Sequence, residues 1–319
     1  MEIINEVLKH RNYYGDECPL INHPSPLLGQ GEPYVSFYYE QESQATARPD
    51  FSIVTPVHNQ QGIIVDNVKA AIACMSTDCT FEYIMIFDGC VDDSELLCRE
   101  YFGANAAKIK GLQRVVLVHQ PTSVFETIAD NIGFRLSRGR YIIEVQADMK
   151  VLSRDFNKLL CRPCEQVPDQ TVCGVSGRCC HAWHNHANGV GRLGSDFCSP
   201  GNIPQDHYNK FFVANTCNRG PLLLDADKLR ELGYLDEMNF YQENSDHDYF
   251  ARAFVQKGWI CGYTPIEVSS PIQHGSTRKP RDENNTRIMN MLAARSNGGF
   301  LHNTPSLTDV VNIAVYDLR

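Results

Sequence analysis

The chain is predicted to fold as an α/β domain with a mainly parallel sheet flanked by helices. Three observations predict it. Short apolar runs recur between residues 51 and 148, segments of helical spacing separate them, and two of the runs end in an aspartate, Asp88 and Asp148. Strands that alternate with helices need crossover connections, and crossovers make neighbouring strands parallel. Ligands bind such sheets beyond the carboxyl ends of the strands, so the two aspartates mark where a site is expected.

Each element has its own signal. FSIVTPV (51–57) is a short apolar strand with a proline near its end. Over 63–75, Ile64, Val65, Val68, Ala71, Ile72 and Met75 recur at helical spacing. FEYIMIFD (81–88) is a second strand, and DDSELLCREYF (92–102) reads as a helix. Its acidic residues fall in the first turn, where the macrodipole favours them. RVVLVHQ (114–120) is a third strand. A helix over 123–138 is opened by Thr122 or Ser123, with Glu126 placed to complete a capping box. Gly139 stops it, and RYIIEVQAD (140–148) is a fourth strand.

The second half is less regular. TVCGVSGRC (171–179) reads as a strand, and 187–210, rich in Gly, Asn and Pro, as a long loop. RGPLLLDADKLRELGYLDE (219–237) is a strand entering a short helix, and SDHDYFARAFVQKGW (245–259) an amphipathic helix stopped by Gly258. A short strand and a polar loop follow over 271–285. Residues 1–50, rich in Pro, Tyr, Gln and Glu, form an N-terminal arm that packs on the domain or stays partly loose. The expected organisation is therefore this arm, a domain over 51–304 with halves 51–150 and 151–304, and a tail over 305–319.

Composition bounds the function. With 319 residues, 43% hydrophobic and 21% charged, the chain is a folded globular protein with a substantial core. A net charge of −9 argues against a nucleic-acid binder, which needs a basic field to track phosphates. No apolar run approaches the ~18–20 residues that span a bilayer. The opening segment MEIINEVLKHRNYYGDE lacks the apolar stretch of a signal peptide. The expectation is a soluble, cytoplasmic protein with no transmembrane segment. In that setting its 13 cysteines are mostly reduced, buried thiols. Residues 161–186 concentrate five cysteines and three histidines. Cys161 and Cys164 form one CxxC pair, but no second pair lies at finger-like distance, so structural zinc is the alternative reading. Cys173 and Cys179 fall in a strand-like stretch, where a thiol packs as a small hydrophobe.

The order of motifs from about Phe51 to about Lys279 resembles the inverting glycosyltransferases of family 2, which have the GT-A fold. FSIVTPVHNQ resembles that family's opening strand, an apolar run ending in Pro-x-x-Asn, here Pro56 and Asn59. IMIFDGCVDD resembles its nucleoside-binding element, and the resemblance implies that Asp88 accepts a hydrogen bond from the base or ribose. Asn131 and Gly133 match an Asn-x-Gly on the following helix, where Asn131 also has the structural reading of a bond to a neighbouring loop. The implied fold is GT-A, Rossmann-like, with a smaller acceptor-side subregion.

The resemblance further implies metal-assisted transfer with inversion from a nucleotide-sugar donor, UDP- or GDP-linked, to a glycan, lipid or protein acceptor. The family's strand end is Asp-x-Asp, but this chain has Gln146-Ala147-Asp148, so one acid is missing. One carboxylate still binds a divalent ion when the donor diphosphate and waters supply the other oxygens. PIQHGSTRKP resembles a late His-x-Gly-Ser element, so His274 joins Asp148 as a metal ligand. Imidazole suits Mn2+ better than Mg2+, and manganese is expected first. Arg278 and Lys279 then neutralise the leaving diphosphate. NRGPLLLDADKLRELGYLDE resembles the acceptor-side segment, with Gly220 allowing close approach of backbone to sugar. SDHDYFARAF resembles Glu-Asp-x-Asp-Leu-x-x-Arg with Ser245 in place of the Glu. Asp246 falls at the catalytic base, with a helix cap as its alternative reading, and Asp248 and Arg252 pair four apart on the same helix.

Three rivals follow from the same residues. A nucleotidyltransferase needs a basic, Gly-rich phosphate loop, and TPVHNQQG (55–62) has no Lys or Arg. A non-catalytic sugar-nucleotide-binding module would explain Gln146. A zinc-stapled interaction protein would use 161–186.

Overall fold

The computed structural model describes residues 32–41, 48–167, 169, 171–181, 192–195, 199, 201–237, 240, 244–270 and 314–319. The nucleus is a parallel sheet of β2 (Phe51–Val57), β3 (Phe81–Asp88), β4 (Leu112–Gln120) and β5 (Tyr141–Glu144). Its crossovers are helices α1 (Ile64–Ala73), α2 (Ser94–Asn105) and α3 (Phe125–Leu136). These match the expected strand–helix alternation closely, and β2 and β3 begin and end where the apolar runs do.

The second half widens the sheet with mixed directions. β12 (Leu222–Asp225) runs antiparallel between β5 and β7 (Val172–Ser176), and β13 (Ile260–Tyr263) lies parallel to β7. β10 (Lys210–Ala214) and β15 (Val315–Asp317) complete that side. With β1 (Tyr34–Glu40) at one edge, the order is β1-β4-β3-β2-β5-β12-β7-β13-β10-β15. Edge strand β1 runs antiparallel to β4. Low periodicity in 1–50 hid it, because an edge strand is covered on one side only. A smaller sheet joins β8 (Cys179–His181), β9 (Arg192–Gly194) and β11 (Thr216–Cys217), and β6 (Lys150–Val151) pairs with β14 (Val268–Ser269). Helix α4 (Phe156–Gln166) carries Cys161 and Cys164, a stretch with no helical signal of its own in the sequence analysis. Helices α5 (Ala226–Leu232) and α6 (Ser245–Lys257) take the expected places, with Gly233 and Gly258 ending them in left-handed conformation.

Successive strand residues feed two cores. Val54, Ile84, Ile86, Val116 and Val118 face Ile128 and Ile132 of α3, while Ile53, Met85, Phe87 and Leu117 face Ile64, Val68 and Phe102 of α1 and α2. Burial of both faces is why the strands read as continuous apolar runs. Helix α3 lies close to the sheet: a Cβ on Gly133 would stand 2.3 Å from Val54 Cγ1. That contact gives the glycine of the Asn-x-Gly pair its physical reason.

The start of α3 differs from expectation. The helix begins at Phe125, and neither Thr122 nor Ser123 caps it. Asp88, at the end of β3, does so from another element. Its Oδ1 accepts from Val124 N at 2.6 Å, and its Oδ2 from Phe125 N at 3.1 Å and Ser123 Oγ at 2.8 Å. A carboxylate across the loop is a stronger acceptor than a local hydroxyl, and it leaves Glu126 for other partners. Strand β5 also ends early, at Glu144, so Asp148 stands in a turn closed by Met149 N to Gln146 O at 3.0 Å.

Candidate active site

The carboxyl ends of β2 and β3 are tied together. Past β2, His58 Nδ1 bonds the Asp88 carbonyl at 2.7 Å, and Asn59, at φ 51°, accepts from Val91 N at 2.9 Å. Gln60 N donates to Ser94 Oγ at 2.7 Å, and Gln61 N to Asp92 Oδ2 at 3.0 Å. Pro56, half-buried on β2, and Asn59 therefore sit with Asp88 on one rim of the sheet.

Beside this rim lies a buried cluster of charges centred on Arg219. Its Nη1 is 2.6 Å from Asp130 Oδ2 and 3.5 Å from Glu126 Oε1. Its Nη2 donates to Thr127 Oγ1 at 3.1 Å and also to Ser245 Oγ. The next residue, Gly220, donates its N–H to Glu144 Oε2 at 2.9 Å. Gly220 has φ +61°, and a Cβ there would lie 2.9 Å from Gln146 Cγ, so the loop rests directly on the Gln146 side chain. Gln146 in turn donates Nε2 to Glu126 Oε1 at 2.7 Å. Asp148 is half-buried two residues further on.

Helix α6 delivers Asp246. Its Oδ2 accepts the backbone N–H of Arg219 at 3.2 Å and its Oδ1 that of His247 at 2.9 Å. Asp246 is buried, 8% exposed, and each of its carboxylate oxygens accepts a backbone N–H. His247 bonds Thr216 Oγ1 at 2.7 Å and meets His181 edge to face at 5.0 Å between ring centres. Asp248 and Arg252 pair at 2.7 Å. Arg252 also donates to Leu232 O and Tyr234 O, so this pair anchors α6 to the end of α5.

The electrostatics follow from burial and neighbours. Burial pushes Asp130 well above the usual carboxylate range, with the Arg219 charge opposing it. Burial likewise raises Glu144 to about 8, opposed by Arg219 and reinforced by Glu126. Asp246 goes the other way: burial would raise it, but His247 and Arg219 outweigh burial and hold it below its ordinary value. At neutral pH Asp246 is therefore ionised. Asp248, raised by burial against the pull of Arg252, lies at about 6.

The structure thus brings Gly220 and Asp246 together around Arg219, and Asp148 follows two positions after Gln146, against which Gly220 packs. Asp88 is engaged by the start of α3. Asn131 is fully buried and clamps Leu235 through both its N–H and C=O, at 2.9 and 3.2 Å, which is its structural reading. His274, Arg278 and Lys279 lie outside the described residues, as do His184 and His186. Among the described residues, the group of three metal-type side chains within coordinating reach is Glu126, Asp130 and Glu144; no cysteine belongs to it. Cys173 and Cys179 are fully buried in the core. The sequence reading passed over Arg219, Thr127, Asp130 and Glu144. The spacing of Glu126 and Asp130, four apart on one helix face, was the available signal.

Comparison with known proteins agrees with this architecture. The family model for glycosyl transferase family 2 matches residues 52–212. No curated protein matches in sequence. Among solved structures, a mannosyltransferase from Pyrobaculum calidifontis, in complex with GDP-Man and Mn2+, superposes with TM-score 0.50 at 15% identity. That match covers 72% of this chain and 59% of that one. The structure of GalNAc-T7 with UDP, GalNAc and Mn2+ superposes with TM-score 0.53 at 15% identity, covering 85% of this chain and 54% of that one. The chain thus spans little more than half the length of either. No helix among the described residues is long and apolar enough to cross a membrane.

Proposed function

The chain belongs to glycosyl transferase family 2, and from that premise we propose that it transfers a sugar from a UDP- or GDP-sugar to an acceptor hydroxyl with inversion. The observation that carries the proposal is Asp246: an ionised carboxylate at the start of a helix, both oxygens held by backbone N–H groups, beside the buried guanidinium of Arg219. A general base needs this combination of correct charge state and fixed direction.

In this reading Asp246 takes the proton of the acceptor hydroxyl as that oxygen attacks the anomeric carbon from the face opposite the leaving nucleotide. Gly220 seats the acceptor-side loop against Gln146, and Asp248 with Arg252 fixes the helix that carries the base. Pro56 and Asn59 form the nucleoside rim. Asp88, its oxygens already accepting three bonds, frames that rim by holding the start of α3. Asn131 acts through the Leu235 loop, and Arg278 and Lys279 meet the diphosphate. The acceptor is a glycan, lipid or protein hydroxyl, and a cytoplasmic setting suits the cysteine-rich composition.

The implied metal is Mn2+, with Mg2+ second. Asp148 offers a hard, half-buried oxygen donor in the turn after β5, which fits such an ion together with donor phosphate oxygens, and His274 adds an imidazole. The Glu126–Asp130–Glu144 group fits it less well, because the Arg219 guanidinium already lies 2.6 Å from Asp130. When bound, the metal offsets charge on the departing diphosphate. The two superposed enzymes, each crystallised with Mn2+ and a guanosine or uridine nucleotide, support the donor class.

The test is thermal melting with UDP, GDP, CDP and dTDP, each with and without Mn2+. A ligand at ~100 times its Kd stabilises by about 2.7 kcal/mol. Stabilisation by UDP or GDP that requires Mn2+ is expected; a melt unmoved by every nucleotide refutes the donor assignment.

A further inference from the structure

We propose that Arg219 is the positioning residue for the transfer reaction: its buried guanidinium fixes the loop after β11 so that its own backbone N–H holds the base Asp246. The inference rests on the reading of Asp246 as the base.

The geometry gives Arg219 two jobs on one residue. The buried side chain spans two helices: Nη1 reaches Asp130 on α3, and Nη2 reaches Thr127 on α3 and Ser245 at the start of α6. The main chain of the same residue reaches Asp246 Oδ2, one position after Ser245. The loop therefore grips the start of α6 from both sides. Gly220 N–H on Glu144 fixes the next peptide to the end of β5. A shift of the guanidinium carries the Arg219 N–H with it, and that N–H holds Asp246 Oδ2.

A buried cation is costly unless carboxylates surround it. Four do so here: Glu126, Asp130, Asp246 and Glu144. They also raise the hold of Arg219 on its proton, against the effect of burial. Only a planar fork satisfies α3 and α6 together, and a lysine ammonium is a point charge that cannot. A cluster with a purely structural role would stabilise the domain without reaching the base; the 3.2 Å bond from Arg219 N to Asp246 is the added element.

The experiment compares wild type, Arg219→Lys, Thr127→Val and Asp246→Asn. Nucleoside diphosphate release from UDP-N-acetylgalactosamine and GDP-mannose is followed with Mn2+ across pH. Arg219→Lys is expected to lower kcat by about 30-fold with donor KM within about twofold. It is also expected to move the acidic limb of kcat upward, because Asp246 loses a donor to its charged form. A kcat within twofold of wild type, or a loss carried by KM or with the acidic limb unmoved, overturns the proposal. If Arg219→Lys lacks a cooperative melt, Thr127→Val decides. This nearly isosteric change removes only the bonds to Arg219 and Ser245, and a several-fold fall in kcat at unchanged KM is expected, whereas an unchanged kcat overturns the proposal. Asp246→Asn separates the two ideas. Normal turnover in that variant refutes the base assignment itself, while lost turnover beside an unimpaired Arg219→Lys refutes only the role of Arg219.

Discussion

Gln146 donates its amide Nε2 to Glu126 Oε1 at 2.7 Å. An amide can donate to that oxygen and a carboxylate cannot. The position that the family resemblance sets against the first acid of Asp-x-Asp therefore serves here to satisfy a glutamate beside Arg219. Gln146→Asp is predicted to destabilise the domain by about 1–3 kcal/mol without metal, by deleting the bond and adding like charge. Mn2+ is predicted to recover more of the melting temperature in this variant than in wild type. Paired melts with and without Mn2+ check both.

Asp88→Ala leaves Val124 N and Phe125 N without their acceptor at the start of α3. Loss of a cap costs about 1–2 kcal/mol, and burial of these donors places the effect at the upper end. Urea unfolding with an unchanged m-value is the measurement. Asp88→Asn keeps one acceptor and is expected to lose about half as much.

Gly133→Ala places a methyl 2.3 Å from Val54 Cγ1 and 2.8 Å from Ile86 Cδ1. The gain in helix propensity is under about 1 kcal/mol, while overpacking against a sheet costs about 1–3 kcal/mol. Net destabilisation is the expected outcome, read from the denaturation midpoint.

Stability is predicted to fall as pH rises from about 5 to 8. Glu144 and Glu237 are pushed up by burial to about 8. In the unfolded chain they titrate near the ordinary glutamate value of about 4.3. Between those values the folded state binds more protons, so raising pH favours unfolding. The lowered groups Glu40, Asp92, Asp227 and Asp246 act below that window, since their contribution is lost only as pH falls through their folded values. Glu237→Gln is expected to flatten the melting temperature between pH 5 and 8, which scanning calorimetry reads.

Much of the parallel nucleus was legible because burial on both faces wrote apolar runs into β2, β3 and β4. The end of α6 was legible because Gly258 takes a left-handed conformation that other residues adopt at a cost. Edge strands β1 and β15 were not, since their order comes from pairing with β4 and β10. The cap on α3 was misplaced because Asp88 reaches it from 36 positions away along the chain, beyond any local pattern. Arg219 was hidden for the same reason: its partners sit on α3 and α6, and only folding brings a cation among four carboxylates. Motifs singled out Asp246 and Gly220, but the contact between Arg219 and Asp246 belongs to the tertiary structure.

The most direct measurement is turnover by Asp246→Asn. The amide keeps the size of the side chain but cannot accept a proton. The variant is predicted to melt within a few degrees of wild type and to keep its nucleotide-dependent stabilisation. Its kcat is predicted to fall by a factor of about 10^2 or more, the range for removal of a general base. Turnover close to wild type would contradict the account.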